Sequence, residues 1–209
     1  MKTHIKVFAL LLFSASLLFV PSQTPAATLA GPQAPERVAA DTPKTTVMGN
    51  TFIAPKDWTV TVKGPATILE APEGGSWIAL VDVAAKDDDA ALAEAWKAFM
   101  PEAKWPVQVS NDLPDRDGWS KRRAYDYLTS PNEKRSVAAQ VQYAGTGWTV
   151  VIEDLADAVA GKRSGQVGIA LSRLLPKGYS RESFAGKKAN PLDQARIAEL
   201  GRFIEQHLA

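Results

Sequence analysis

Residues 51–83 read TFIAPKDWTVTVKGPATILEAPEGGSWIALVDV, and this stretch decides the fold. It contains four runs rich in β-branched and aromatic residues, which are typical of strands: Thr51-Phe-Ile-Ala, Trp58-Thr-Val-Thr-Val, Ala66-Thr-Ile-Leu-Glu and Trp77-Ile-Ala-Leu-Val-Asp-Val. Short clusters containing Pro and Gly separate the runs and indicate turns. The last run is continuously apolar, as expected of a central strand covered on both faces. The stretch therefore predicts a meander of four strands.

The chain beyond this meander alternates less regularly between helical and extended patterns. Three aspartates, Asp87 to Asp89, precede an apolar stripe at helical spacing, which predicts a capped helix that Pro101 ends. Further strands are expected over residues 104–110, 119–128, 135–143 and 148–153, the last three joined by hairpin loops.

Two more helices are expected near the C-terminus. The first begins at Asp154 or Asp157 and forms one helix or two shorter pieces, because it contains three glycines. The second is capped by Asn190, and its apolar stripe is Ile197, Leu200, Ile204 and Leu208. Strands bunched between helices, without regular βαβ alternation, predict an α+β domain with a mainly antiparallel sheet and helices packed on it.

The first 30 residues have the three parts of a secretory signal peptide. These are the basic start Lys2 and Lys6, the apolar run from Val7 to Val20, and small residues after Pro21. The apolar run is shorter than the roughly 20 residues that cross a bilayer. We expect cleavage after Ala26 or Ala27, with Ala30 as a further option. The protein is then periplasmic or secreted and has no membrane span.

The predicted organisation has four parts. They are a signal peptide over 1–27, a flexible leader over 28–46, the α+β domain over 47–176, and a linker with a further helix over 177–209. The leader is assigned because its Pro, Ala and Thr residues show no hydrophobic periodicity.

Composition excludes several kinds of chemistry. The chain has no cysteine, so thiolate catalysis and cysteine metal sites are excluded. Its formal net charge is +1, and it becomes −1 when the two lysines of the predicted signal are removed, so nothing favours nucleic acid as a partner. After signal cleavage His207 is the only histidine, which suits neither a Ser-His-Asp site nor zinc.

Three sets of acidic residues are candidate sites. Leu113-Pro-Asp115-Arg-Asp117-Gly118 has the core of a calcium loop, but its twelfth position is Ala124 where a glutamate belongs, so a turn is predicted instead. Glu70 with Glu73, and Glu153 with Asp154 and Asp157, are candidate acid–base pairs. All of them lie at ends of predicted elements, which favours solvated or capping roles.

Basic and aromatic residues give weaker indications. Lys121-Arg-Arg123 lies within a predicted strand, where a solvated sheet face is favoured over an anion patch. Tryptophans at or near strand starts, or on a helix stripe, are expected to pack in the core: Trp58, Trp77, Trp96, Trp119 and Trp148. Trp105 is the least constrained of the six. The stretch from Phe52 through Pro55 to Trp58 resembles the opening of PsbP-like exported domains.

A second resemblance lies at the C-terminal end. Leu174-Leu-Pro-Lys-Gly-Tyr-Ser-Arg-Glu-Ser-Phe-Ala-Gly-Lys-Lys-Ala and the following Pro191-Leu-Asp-Gln-Ala-Arg-Ile-Ala-Glu-Leu resemble exported serine hydrolases of the β-lactamase family. In those proteins a noncatalytic N-terminal domain precedes the catalytic one. The family's Ser-x-x-Lys motif is absent, since Ser130 to Lys134 and Ser183 to Lys187 are each one residue too long. The resemblance therefore assigns no catalytic, cofactor or metal residue.

Three hypotheses follow for function. The first is the noncatalytic N-terminal domain of such a hydrolase, truncated before its catalytic domain, which would be its partner. The alternative is a free-standing exported PsbP-like binding or assembly module that uses its sheet face or the loops near Trp105 and Gly118. The third is an enzyme that acts through paired carboxylates.

Overall fold

The computed structural model describes residues 33–183 and 194–207. In chain order the strands are β1 Gln33–Arg37, β2 Thr42–Thr45, β3 Thr51–Ala54, β4 Thr59–Lys63, β5 Ala66–Glu70, β6 Trp77–Val83, β7 Val107–Leu113, β8 Ser120–Tyr127, β9 Arg135–Tyr143 and β10 Trp148–Ala156. The helices are α1 Asp88–Phe99, α2 Asp157–Ser172 and α3 Gln194–His207. The predicted signal peptide and its cleavage sites, and the predicted helix cap at Asn190, lie outside these ranges.

Eight strands form one antiparallel sheet in the order β1-β4-β5-β6-β10-β9-β8-β7. β2 and β3 form a separate hairpin. The predicted four-strand meander is therefore wrong in its first strand, because β3 pairs with β2 and only β4, β5 and β6 pair in succession. Helices pack on both faces of the sheet: α1 lies against β5, β6, β9 and β10, and α2 lies against β9, β10 and the hairpin. The predicted α+β class with a mainly antiparallel sheet is therefore confirmed.

Alternation along the central strands supplies both faces with apolar side chains. In β6, Ile78 and Leu80 pack on the α2 face, whereas Ala79 and Val81 pack on the α1 face. In β10, Val151 belongs to the α2 face and its neighbours belong to the α1 face. Because successive side chains of a strand point to opposite faces, the continuously apolar run at Trp77 produces a strand buried on both sides, as predicted.

Helix α1 begins where the three aspartates predict. Asp87 is its N-cap, and the carboxylate accepts a hydrogen bond from the backbone N–H of Ala90 at 2.8 Å. The small residues Ala91 and Ala95 are fully buried against the sheet. Trp96 lies beside them and donates from Nε1 to the Tyr127 hydroxyl at 2.7 Å.

Part of the predicted flexible leader is strand. β1 pairs with β4 at the edge of the large sheet, and β2 pairs with β3. The sequence did not indicate this because β1 has one partner strand and its described side chains are exposed, so no apolar alternation marks it. Pro35 fits an edge strand, where a missing N–H removes no ladder hydrogen bond.

Residues after α2 pack into the same domain. Leu175 and Thr51 exchange backbone hydrogen bonds of 2.8 and 2.9 Å, and Leu174 is buried. The indole of Trp119 donates to the Leu174 carbonyl at 3.1 Å. The segment at Leu174 therefore closes the core of the α2 face.

Two further boundaries differ from the sequence prediction. α2 is one helix that begins at Asp157, and a methyl group placed on its three glycines would contact nothing within 4 Å, so they cost helix propensity without breaking the helix. β7 is displaced toward the C-terminus relative to the predicted strand. Within 33–183 and 194–207, no helix has the length and apolar character needed to cross a membrane.

Candidate functional site

The α2 face of the sheet changes from apolar to polar where α2 leaves it uncovered. Gln140 and Gln142 of β9 lie on this face, beside Val151 and Thr149 of β10 in the strand register. The Gln140 side chain donates from Nε2 to Gln142 Oε1 at 2.7 Å. The sequence prediction did not include these glutamines, although their alternation with Val141 along β9 indicates a polar stripe on one face of the strand.

A cleft of about 290 Å³ lies between this polar part of the sheet and α2. Its polar lining includes Arg116, Arg122, Gln140 and Glu153. Its apolar lining includes Val151 of β10, Trp119 just before β8, and Leu171 and Leu174 from and after α2. We call this space the α2 cleft. A lining of apolar side chains with a few placed polar groups is the usual construction of a small-molecule site.

Arg122 reaches the cleft with only part of its guanidinium engaged. Its Nη1 donates to the Pro114 carbonyl at 2.7 Å. Its Nε is buried and has no hydrogen-bond partner among the residues that the structure describes. Burial lowers the pKa of Arg122 from its usual value, and the neighbouring cation Arg116 lowers that pKa further. Arg122 is half-exposed, so the predicted solvated face describes its outer part, whereas its Nε is buried.

Glu153 lines the same cleft without a partner. Burial raises the pKa of its carboxyl group above the usual value, and the negative charge of Asp126 raises that pKa further. Within residues 33–183 and 194–207, its carboxylate takes part in no hydrogen bond or ion pair. Glu153 and Arg122 therefore share a cleft but do not neutralise each other.

The predicted acidic turn forms the rim of the cleft. Both carboxylate oxygens of Asp117 accept from Arg181, at 2.8 Å from Nε and 2.7 Å from Nη2, and Arg116 Nε donates at 3.1 Å. The hydrogen bonds from Arg181 lower the pKa of Asp117. Because Arg181 donates to both oxygens, Asp117 links the turn to the C-terminal segment. The turn itself agrees with the sequence prediction for this stretch.

The candidate acid–base pairs are not brought together as catalytic pairs. Arg163 and Lys162 of α2 hold Glu73 through contacts of 2.7 and 2.8 Å, and the hydrogen bond from Arg163 in particular lowers the pKa of Glu73 to about 2. Glu70 accepts from the backbone N–H of Gly75 at 3.3 Å. Both acids thus have structural partners.

The second candidate group is divided by the sheet. Glu153 faces the α2 cleft, whereas Asp154 follows it in the strand and lies on the α1 face, where Arg135 contacts its carboxylate at 2.7 Å. Asp157 is exposed in the first turn of α2. Alternation along β10 separates these acids, so the grouping drawn from sequence proximity is wrong.

The remaining candidates lie apart from this cleft. His207 is exposed on α3, where its ring stacks on Phe203 at a centroid distance of 4.4 Å. Trp105 is half-buried, and its indole donates to Glu133 at 3.2 Å beside Arg135. Trp58, Trp119 and Trp148 are buried, as predicted for packing residues. Of the two predicted loops, only the one at Gly118 adjoins the α2 cleft.

The comparisons with known proteins give little beyond the fold. No family model matches the chain, and no curated protein matches it in sequence. Among solved structures the chain is similar to the solution structure of cyanobacterial PsbP (CyanoP) from Synechocystis sp. PCC 6803. The TM-score is 0.47 and the identity 12%, over 65% of this chain and 92% of that one.

The predicted origin in the β-lactamase family, with a truncated catalytic domain, is wrong. The similarity found is to a PsbP protein and not to a hydrolase of that family. The structure gives the physical reason. The stretch that carried the resemblance begins at Leu174, but Leu174 is buried in the core of the α2 face and Leu175 pairs with β3. A segment that closes this core resembles an interdomain linker only in its sequence.

Proposed function

We propose that the chain is an exported, noncatalytic binding module and that the α2 cleft takes a small polar ligand. Export rests on the signal-peptide pattern of the first 30 residues. A noncatalytic role is favoured because the candidate acid–base carboxylates are held by basic side chains or divided between the two faces of the sheet.

One observation carries the proposal. The Nε of Arg122 and the carboxylate of Glu153 line one cleft, and neither has a partner among the described side chains and backbone groups. A buried polar group without a partner costs about 1–3 kcal/mol, and more when it is charged. Protein sites bear such a cost where function requires unpaired groups, and a ligand can supply the missing partners.

Ligand binding in the cleft is tested by NMR on the chain without residues 1–27. Pools of amino acids, short peptides, carboxylic acids and sugars are added to ¹⁵N-labelled protein. At least one pool should shift the backbone amides of Gln140, Gln142 and Glu153. The variant R122Q/E153Q should lose these shifts, whereas E102Q and R37Q, which change exposed residues, should keep them. If no pool shifts the backbone amides of these three residues, the proposal is wrong.

A further inference from the structure

We infer that the ligand of the α2 cleft is a small zwitterion, with its anionic group at Arg122 and Arg116, its ammonium group at Glu153, and an apolar side chain against the apolar part of the cleft lining. The inference rests on the proposed function, because it names the chemical class of the ligand at the same site.

The basic end of the cleft is built for an anion. The hydrogen bond to the Pro114 carbonyl fixes the guanidinium of Arg122 and leaves its Nε available. Arg116 is oriented by the carboxylate of Asp117, which Arg181 also binds. Arg116 is largely exposed and paired with Asp117, and its repulsion of Arg122 is opposed by Asp117 and Asp115. The unpaired Nε of Arg122 is therefore the main group that an anion would satisfy, through a strong charge-assisted hydrogen bond.

The acidic end of the cleft is built for a cation. Glu153 pairs in register with Ala138 of β9, and Ala138 pairs with Asp126 of β8, so both acids lie on the same face of the sheet. Asp126 is exposed, and Glu153 is largely covered and unpaired. An ammonium group beside Glu153 would offset the desolvation of its carboxylate and the repulsion from Asp126.

The apolar part of the cleft lining favours an apolar side chain on the ligand. The indole N–H of Trp119 is directed away to the Leu174 carbonyl, so this side chain presents apolar surface to the cleft. Val151 and Leu171 add to this apolar surface. The cleft volume of about 290 Å³ is on the order of ten water molecules at liquid density. That size suits an amino acid or a short peptide.

Other ligand classes leave one end of the cleft unsatisfied. A simple carboxylic acid would neutralise the arginines but would leave Glu153 without a partner. An uncharged sugar could bond to the glutamines but would neutralise neither Arg122 nor Glu153. A zwitterion is the smallest ligand that compensates both ends at once.

The test compares four probes built on leucine, two with both charged ends and two with one. L-Leucine and L-leucyl-L-leucine carry both charges, N-acetyl-L-leucine lacks the ammonium group, and L-leucinamide lacks the carboxylate. Titration of the chain without residues 1–27, followed by NMR at neutral pH, should show at least one zwitterion binding about tenfold more tightly than both single-charge probes. A tenfold change corresponds to one charge-assisted hydrogen bond.

Two variants assign each end. E153Q should remove the preference for leucine over N-acetyl-leucine, and R122Q should remove the preference for leucine over leucinamide. The exposed controls E102Q and R37Q should retain both preferences. Circular dichroism verifies that each variant is folded. Titration of R116Q with the same probes tests the basic end a second time, because this variant should also weaken the preference for leucine over leucinamide.

Each remaining outcome counts against a defined claim. If N-acetyl-leucine binds as tightly as leucine, or if an uncharged sugar shifts the cleft amides while all four probes do not, the zwitterion inference is wrong and the binding module stands. If no probe and no pool shifts those amides, both proposals fail.

Discussion

Glu153 and Asp154 are neighbours in β10, yet their environments differ. Asp154 is fully buried on the α1 face, where Arg135 contacts both carboxylate oxygens at 2.7 and 2.8 Å. Burial still raises the pKa of Asp154, although Arg135 opposes that shift. Glu153 faces the α2 cleft, and burial and Asp126 raise its pKa without an opposing cation. Only the second acid has an environment that a bound ligand could improve.

The first prediction concerns the stability of the E153Q variant. A raised pKa means that the folded chain holds the proton of Glu153 more tightly than the unfolded chain does. Ionised Glu153 therefore destabilises the fold at pH values above its folded pKa, and this cost disappears below the unfolded value of about 4.3. E153Q should be more stable than the wild type at pH 7.5 by about 0.5–2 kcal/mol, with the difference vanishing near pH 3.5.

Urea unfolding followed by tryptophan fluorescence at pH 3.5, 5 and 7.5 measures this difference. The exposed substitution E102Q is the control and should change stability little at any of these values. A loss of stability in E153Q at pH 7.5 would show that the carboxylate has a stabilising partner in the fold.

At the scale of elements, one asparagine joins three segments that are distant in sequence. Asn50, in the loop between β2 and β3, donates from Nδ2 to Asp82 of β6 at 3.1 Å and to Thr149 of β10 at 2.8 Å. Its Oδ1 accepts from the backbone N–H of Lys177 at 3.0 Å. The side chains of Asn50, Asp82 and Thr149 are all buried.

The second prediction is that N50A costs about 2–4 kcal/mol of unfolding free energy. The substitution leaves the buried carboxylate of Asp82 short of one partner and removes the acceptor of the partly buried Lys177 N–H. Chemical denaturation measures the loss, and N111A on the exposed strand β7 is the matched control. A change below about 0.5 kcal/mol would mean that water satisfies these groups.

Periodicity in the sequence could predict the elements that bury a face. Strands β4 to β6, helix α1 and strands β8 to β10 were predictable because their apolar residues recur with the period of the element. β1 and β2 were not, because an exposed edge strand has no such period. Most of the α2 cleft was not predictable either. Arg122 on β8 and Glu153 on β10 meet only through the strand order, and no local spacing encodes that order.

At the scale of the whole molecule, the domain extends beyond the predicted limit at residue 176. Buried Leu174, the pairing of Leu175 with β3 and the contact of Arg181 with Asp117 all belong to one fold. The described side chains of α3 are exposed. The stability of the domain is therefore expected to depend on the segment after α2 and to depend little on α3.

The third prediction compares two shortened chains. A chain that ends at Ser183 should keep the unfolding free energy of the full chain within about 0.5 kcal/mol, since it retains the buried contacts. A chain that ends at Arg173 should lose at least about 3 kcal/mol, because it removes the buried Leu174 and the backbone partners of Thr51 and Trp119. Thermal and urea unfolding measure both. Equal stability of the two chains would refute the integrated domain.

The central pair of strands has a consequence for the order of folding. β6 pairs with β10, and α1 with strands β7 to β9 lies between them in the chain. As the polypeptide emerges from the ribosome, the meander up to β6 is complete long before β10 exists. Until then the apolar strand β6 is an open edge, and contacts so distant in sequence form slowly. The nascent chain is thus most prone to aggregation in the interval before its tenth strand arrives.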